Sequence, residues 1–191
     1  MPDNRPVFHI LAVGWDHPAW QGSFYPDDLP EDWRLTYYAN EVPGVLMPMV
    51  LWCKADEAQV ESWIDDVEEG FRFYLALEGG GGDCDPVAVA NLLGDNLGGV
   101  VVDSVVETTR TDNIPRFTLA TKGQPLSEKV SPAYRVAAES LGDLRVQRAL
   151  LESLAGQVPE GADVLLFIEG ERMDMAVLKD LRQLAQLLGL A

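Results

Sequence analysis

Short apolar runs alternate with amphipathic segments along most of this chain, and that alternation limits what it can fold into. "VFHILAVGW" (Val7–Trp15) is nearly continuous apolar sequence and reads as a strand buried on both faces. "PEDWRLTYYANE" (Pro30–Glu41) follows as a short helix, with a proline and acids at its start. "GVLMPMVLW" (Gly44–Trp52) is a second strand, in which Pro48 implies an edge, a bulge or an early end. In "ADEAQVESWIDDVEEG", Val60, Trp63, Ile64 and Val67 share one helical face, while Glu57, Glu61 and Asp65 form a like-charge row on another.

"FRFYLALE" (Phe71–Glu78) is a third strand. "DPVAVANLLGDN" is a helix with Asp85 as N-cap and Pro86 at the first helical position. "GGVVVDSVV", "RFTLAT" and "ADVLLFIEG" read as further strands. "SPAYRVAAESLGDLRVQRALLESLAGQ" reads as helix, interrupted at Gly142, and "MAVLKDLRQLAQLLG" as the last helix. Strands separated by helices imply a mostly parallel sheet, open or curled into a barrel. The count is six strands, whereas a (β/α)₈ barrel needs eight. The fold class expected is α/β and TIM-barrel-like, incomplete or degenerate, in one domain spanning residues 1–191.

The loop after the first strand, "GWDHPAWQGSFYP", carries the most specific signal. Gly14, Trp15, Pro18, Trp20, Gly22, Phe24, Tyr25, Pro26, Leu29, Pro30, Tyr37, Tyr38 and Ala39 stand in an order and spacing that resemble the start of the YecE-like barrel family, domain of unknown function 72. The resemblance is clear over roughly the first forty residues and becomes a threading beyond them. On that threading "ADVLLFIEG" is the fifth strand, and about three strands would be missing. The resemblance implies a TIM-barrel-like fold but no reaction, since the family has no established biochemical role. It also exposes departures. Where the family carries polar groups at the ends of its second, third and fifth strands, this chain has Val45–Pro48, Ala76 and Phe167–Gly170. A divergent, shortened relative is implied, acting through binding or assembly rather than catalysis.

Several residues invite chemistry. Asp16 and His17, just past the first strand, suit an acid–base pair or two metal ligands, and Glu169 is a third catalytic candidate. Neighbours in an extended chain point opposite ways, however, so a turn-capping Asp16 and an extended His17 before Pro18 make the simpler reading. Trp15, Trp20, Phe24 and Tyr25 suit a binding pocket at a barrel mouth, or else a plug pinning the loop with Trp33 and Tyr37. Asp16, Glu78, Asp103 and Glu169 fall at strand ends and together could hold Mg²⁺ or Mn²⁺ for a metal-dependent hydrolysis, the alternative function. Otherwise no cofactor is expected. The glycines of "EGGGGDCD" suggest a phosphate cradle, but Glu78, Asp83 and Asp85 would repel the anion, and no Lys-Ser/Thr follows. With His9 inside a strand, no nucleophile triad can be assembled.

Charge narrows the partners. Fourteen Lys and Arg against thirty-one Asp and Glu leave a net charge of -17. Such a surface repels nucleic-acid phosphates and anionic lipid, and favours a basic protein partner, for example on the acidic helix Ala55–Glu69. Cys53 and Cys84 form neither a zinc pattern nor a disulfide framework, so free thiols in a reducing cytoplasm are expected. The N-terminus lacks a signal-peptide pattern, and no apolar run is long enough to span a membrane. The open edges of an incomplete sheet would favour a homodimer.

Overall fold

A computed structural model describes residues 5–79, 83–103, 113–120 and 131–191. Seven parallel strands lie side by side in chain order and close into a barrel: β1 (Val7–Val13), β2 (Gly44–Met47), β3 (Arg72–Leu77), β4 (Leu97–Val102), β5 (Arg116–Leu119), β6 (Ser131–Ala137) and β7 (Asp163–Glu169). The helices are α1 (Arg34–Ala39), α2 (Met49–Trp52), α3 (Glu57–Asp65), α4 (Pro86–Leu93), α5 (Leu144–Ala155) and α6 (Met175–Leu187). The TIM-barrel-like expectation holds, with seven strands instead of eight.

Closure corrects the expected edges. β1 pairs with β2 on one side and with β7 on the other, where six residues from Val7 to Ala12 run in register with Asp163 to Ile168. A closed sheet has no edge strand. The argument that bare edges would draw two copies together therefore loses its physical basis.

The strand missing from the sequence reading is β6. "SPAYRVA" begins like a capped helix, with serine before proline. In the structure Pro132 sits second in a strand that pairs with β5 and β7. The interior of the barrel wins over local propensity, because β6 fills the gap that would otherwise separate β5 from β7. "ADVLLFIEG" is accordingly the seventh strand, not the fifth. Pro48 ends β2 as anticipated, but the residues after it form α2, not more strand. Gly142 lies just before α5, whose N-cap is Asp143. Asp85 caps α4 by accepting from the Val87 and Ala88 amides, as expected. Residues 104–112, between "VVVD" and "NIPRFTL", lie outside the described residues, as do Gly80–Gly82.

Three rings define the inside of the barrel. Tyr74 of β3 meets Phe117 of β5 and Phe167 of β7 edge-on, with ring centroids 5.8 and 6.0 Å apart. These strands are not neighbours, so the rings meet only through the interior. Residues in register on neighbouring parallel strands share a face. Leu46, paired with Tyr74, and Leu11 and Arg135, paired with Phe167, therefore also point inward. Two residues further along, so do Val13, Ala137 and Glu169. A Cβ on Gly98 would lie 2.6 Å from the Tyr74 ring, so glycine there makes room for the central tyrosine.

Cys53 and Cys84 form a disulfide with a Cα–Cα distance of 5.0 Å. This overturns the free-thiol expectation. Cys53 follows α2 and Cys84 precedes the cap of α4, so the bond ties two adjacent strand-to-helix connections together. Sequence spacing could not reveal it, because the neighbouring strands β2 and β3 supply the proximity. Among the described residues, no helix is long and apolar enough to cross a membrane.

Candidate functional site

The strand C-termini and the connections after them form one mouth of the barrel, the face where α/β barrels place their chemistry. An open cleft of about 810 Å³ lies there over β1, β6 and β7. Val13, Ala137 and Glu169, all inward-pointing, form its floor. His17 and Pro18 form one wall and Glu171 another.

His17 and Asp16 part company, as adjacent residues of an extended segment should. The Asp16 carboxylate accepts a short hydrogen bond from Arg34 at the start of α1. The same guanidinium donates to Gln21 Oε1 at 2.9 Å and lies 5.8 Å over the Tyr25 ring. Asp16 thus clamps the loop to α1. His17 turns into the cleft, its ring tilted by 48° against that of Trp20 with the centroids 4.3 Å apart. A carbonyl can only accept, so Nε2 of His17, 2.8 Å from the Val13 carbonyl, carries the proton. Burial pushes the pKa of His17 below its ordinary value, against the opposing pull of the Val13 and Gly14 carbonyls and the Asp16 charge. The imidazole is therefore neutral at pH 7, with Nδ1 as its acceptor.

The aromatic residues mostly form a plug. Trp20 and Tyr25 are fully buried. The Trp20 indole donates to the Met173 carbonyl at 2.9 Å and stacks on Tyr38, tying the first loop to the approach of α6. The Tyr25 hydroxyl donates to the Trp15 carbonyl. Phe24 is half-buried among Trp20, Tyr25 and Tyr37, and Trp15 meets Trp63 of α3 edge-on. Neither Trp20 nor Tyr25 presents a face to a ligand. Trp33, expected within the plug, is instead 62% exposed.

The strand-end acids do not converge as a set of four. Glu78 and Glu169 share one cation. Nη1 of Arg135 lies 3.0 Å from Glu78 and 4.0 Å from Glu169, which makes a carboxylate–guanidinium–carboxylate bridge across the mouth. Asp16 is held by Arg34, and Asp103 is exposed without an ion pair among the described residues. Among those residues no three His, Cys, Asp or Glu side chains group so as to hold a metal ion. Arg135 escaped notice because it lies on β6, the strand read as helix. Alternation alone could have flagged it, since in "PAYRVA" Arg135 shares a strand face with Ala133 and Ala137.

Residues 9–79 match the family described as "Protein of unknown function DUF72". No curated protein matches the chain in sequence. Among solved structures, a crystal structure of a DUF72 family protein from Enterococcus faecalis V583 is similar, with a TM-score of 0.60 and 11% identity, covering 98% of this chain and 100% of that one. A second crystal structure of that protein, also 11% identical, has a TM-score of 0.59 over 97% of this chain and 96% of that one. At that identity the likeness carries the fold and no activity. The match to that family, whose function is unknown, covers residues 9–79, less than half of the chain.

Proposed function

We propose that this barrel is a non-catalytic small-molecule binder whose ligand sits in the cleft over β1, β6 and β7. The observation that carries the reading is the engagement of the groups that catalysis would need, beside a cleft that stays open. Asp16 is paired with Arg34, and Glu78 and Glu169 are bridged by Arg135. His17 gives its one proton to a backbone carbonyl, so no carboxylate orients it as a catalytic base. The cleft volume of about 810 Å³ lies within the range of small-molecule sites, and its lining mixes apolar side chains with a few polar groups.

Equilibrium dialysis of the purified chain against a metabolite mixture, read by mass spectrometry, tests this. Retained compounds should be recovered with unchanged mass. Retention should vanish in Ala137→Trp, which fills the cleft from an exposed position. Product of altered mass accumulating beyond the amount of protein would overturn the non-catalytic reading. Retention that survives Ala137→Trp would overturn the location.

A further inference from the structure

We propose that the Cys53–Cys84 disulfide is redox-active, and that a protein dithiol reduces it after docking on the exposed apolar residues beside it. This activity is independent of the cleft and its ligand. Cys53 ends α2, and Cys84 stands just before the cap of α4. Both are only partly buried, at the margin of the core. Structural disulfides resist reduction, whereas exposed ones exchange with thiols. The neighbours of the bond are apolar and exposed as well. Val50 of α2 is 86% exposed, and Leu51 of α2 and Val87 in the first turn of α4 are each 37% exposed. Each stands within three residues of a bonded cysteine, so together they flank the bond. Bare aliphatic side chains around a cleavable bond suit a protein reductant, because covering them helps to hold a second chain over the sulfurs. The fold does not depend on the bond alone. Trp52, next to Cys53, is fully buried, and its indole donates to the Ala76 carbonyl at 3.1 Å, so α2 keeps its anchor when the bond opens.

Charge sets the direction of attack. Exposed Lys54 adjoins Cys53, while exposed Asp83 and Asp85 flank Cys84. A thiolate leaves most readily where a cation stabilises it. In a chain of net charge -17, Lys54 also draws in an incoming thiolate that the rest of the surface repels. The partner's thiolate therefore attacks Sγ of Cys84. The Cys53–Cys84 bond breaks as the new S–S bond forms, and Cys53 leaves as a thiolate that takes a proton from water. The partner's second thiol then gives its proton to water and attacks the partner's own first sulfur. Cys84 is released as a thiolate and is protonated in turn. Two electrons pass from the partner, which becomes the disulfide, to this chain, which becomes the dithiol. The sequence holds no third cysteine, so exchange has no other pairing to reach.

A thioredoxin lacking its second active-site cysteine is the probe, because it halts the exchange at the mixed disulfide. Mixed with the oxidised full chain, it should give a one-to-one adduct. Peptide mapping should place the new bond on Cys84 and leave Cys53 open to alkylation. Lys54→Gln should slow adduct formation roughly two- to fivefold, the effect of losing one screened charge. An adduct on Cys53, or no effect of Lys54→Gln, would overturn the direction of attack. Intact thioredoxin should reduce the folded chain at a rate proportional to its concentration and unchanged by urea below the unfolding transition. Reduction that begins only as urea unfolds the chain would mark a structural bond and overturn the proposal. Val50→Ser/Val87→Ser alters exposed positions, so the fold should persist. It should slow thioredoxin roughly fivefold and leave reduction by dithiothreitol unchanged. Equal slowing of both reductants, or of neither, would overturn the docking surface.

Discussion

His17 shows how one side chain takes its character from what surrounds it. Its folded-state pKa lies below the ordinary value of 6.5, chiefly because burial disfavours the charged ring. The unfolded chain therefore takes up a proton more readily than the folded one. Stability attributable to His17 is complete above about pH 6.5 and is lost as the pH falls below it. Two measurements check this. The imidazole should titrate by NMR at a midpoint below 6.5. The fall in urea-unfolding stability between about pH 7 and pH 5 should be shallower in His17→Gln. An identical slope in the variant would refute the assignment. That His17 stands in a loop beside Trp20 was legible in "WDHPAW". That the ring is neutral and faces a cleft was not, because the walls of the cleft include β6 and β7, more than a hundred residues away.

At the scale of elements, local signals worked where the cause was local. Asp85 caps α4 because a carboxylate can satisfy amides two and three residues on, and sequence shows both partners. Pro48 ended β2 for an equally local reason, its missing N–H. β6 failed that test. Its residues tolerate a helix, and only the demand for a partner between β5 and β7 makes them a strand. The disulfide is also an element-scale contact, since it links the connections after β2 and β3 across a sequence separation of 31. Restricting a loop of that length in the unfolded chain contributes about 4 kcal/mol. The Cys53→Ser/Cys84→Ser double variant should lose about that much in urea unfolding. Reductant should lower the stability of the parent chain by a similar amount and leave the variant untouched. Sensitivity of the variant to reductant, or no loss at all, would contradict the bond.

At the scale of the whole molecule, charge and closure act in opposite directions. The net charge of -17 loads the folded surface with repulsion, and α3 concentrates it through Glu57, Glu61 and Asp65 on successive turns. Salt shortens the reach of that repulsion from roughly 10 Å at 0.1 M to roughly 3 Å at 1 M. The melting temperature should accordingly rise across that range of sodium chloride. The rise should be smaller in a Glu57→Gln/Glu61→Gln/Asp65→Asn variant, as followed by circular dichroism. An equal rise would show that the charge row contributes nothing. Closure works the other way, since every strand finds two neighbours and no edge is left bare. The sequence by itself determined the alternation of most strands and helices, the Asp85 cap, the excess of acidic residues and the signature loop. All of these depend on residues within a turn or two of each other, or on composition alone. Only the tertiary structure decided that seven strands close the barrel, that "SPAYRVA" is one of them, that Cys53 meets Cys84, and that Arg135 joins Glu78 to Glu169. Each of those depends on which distant segments become neighbours, and an apolar run carries no record of its partner.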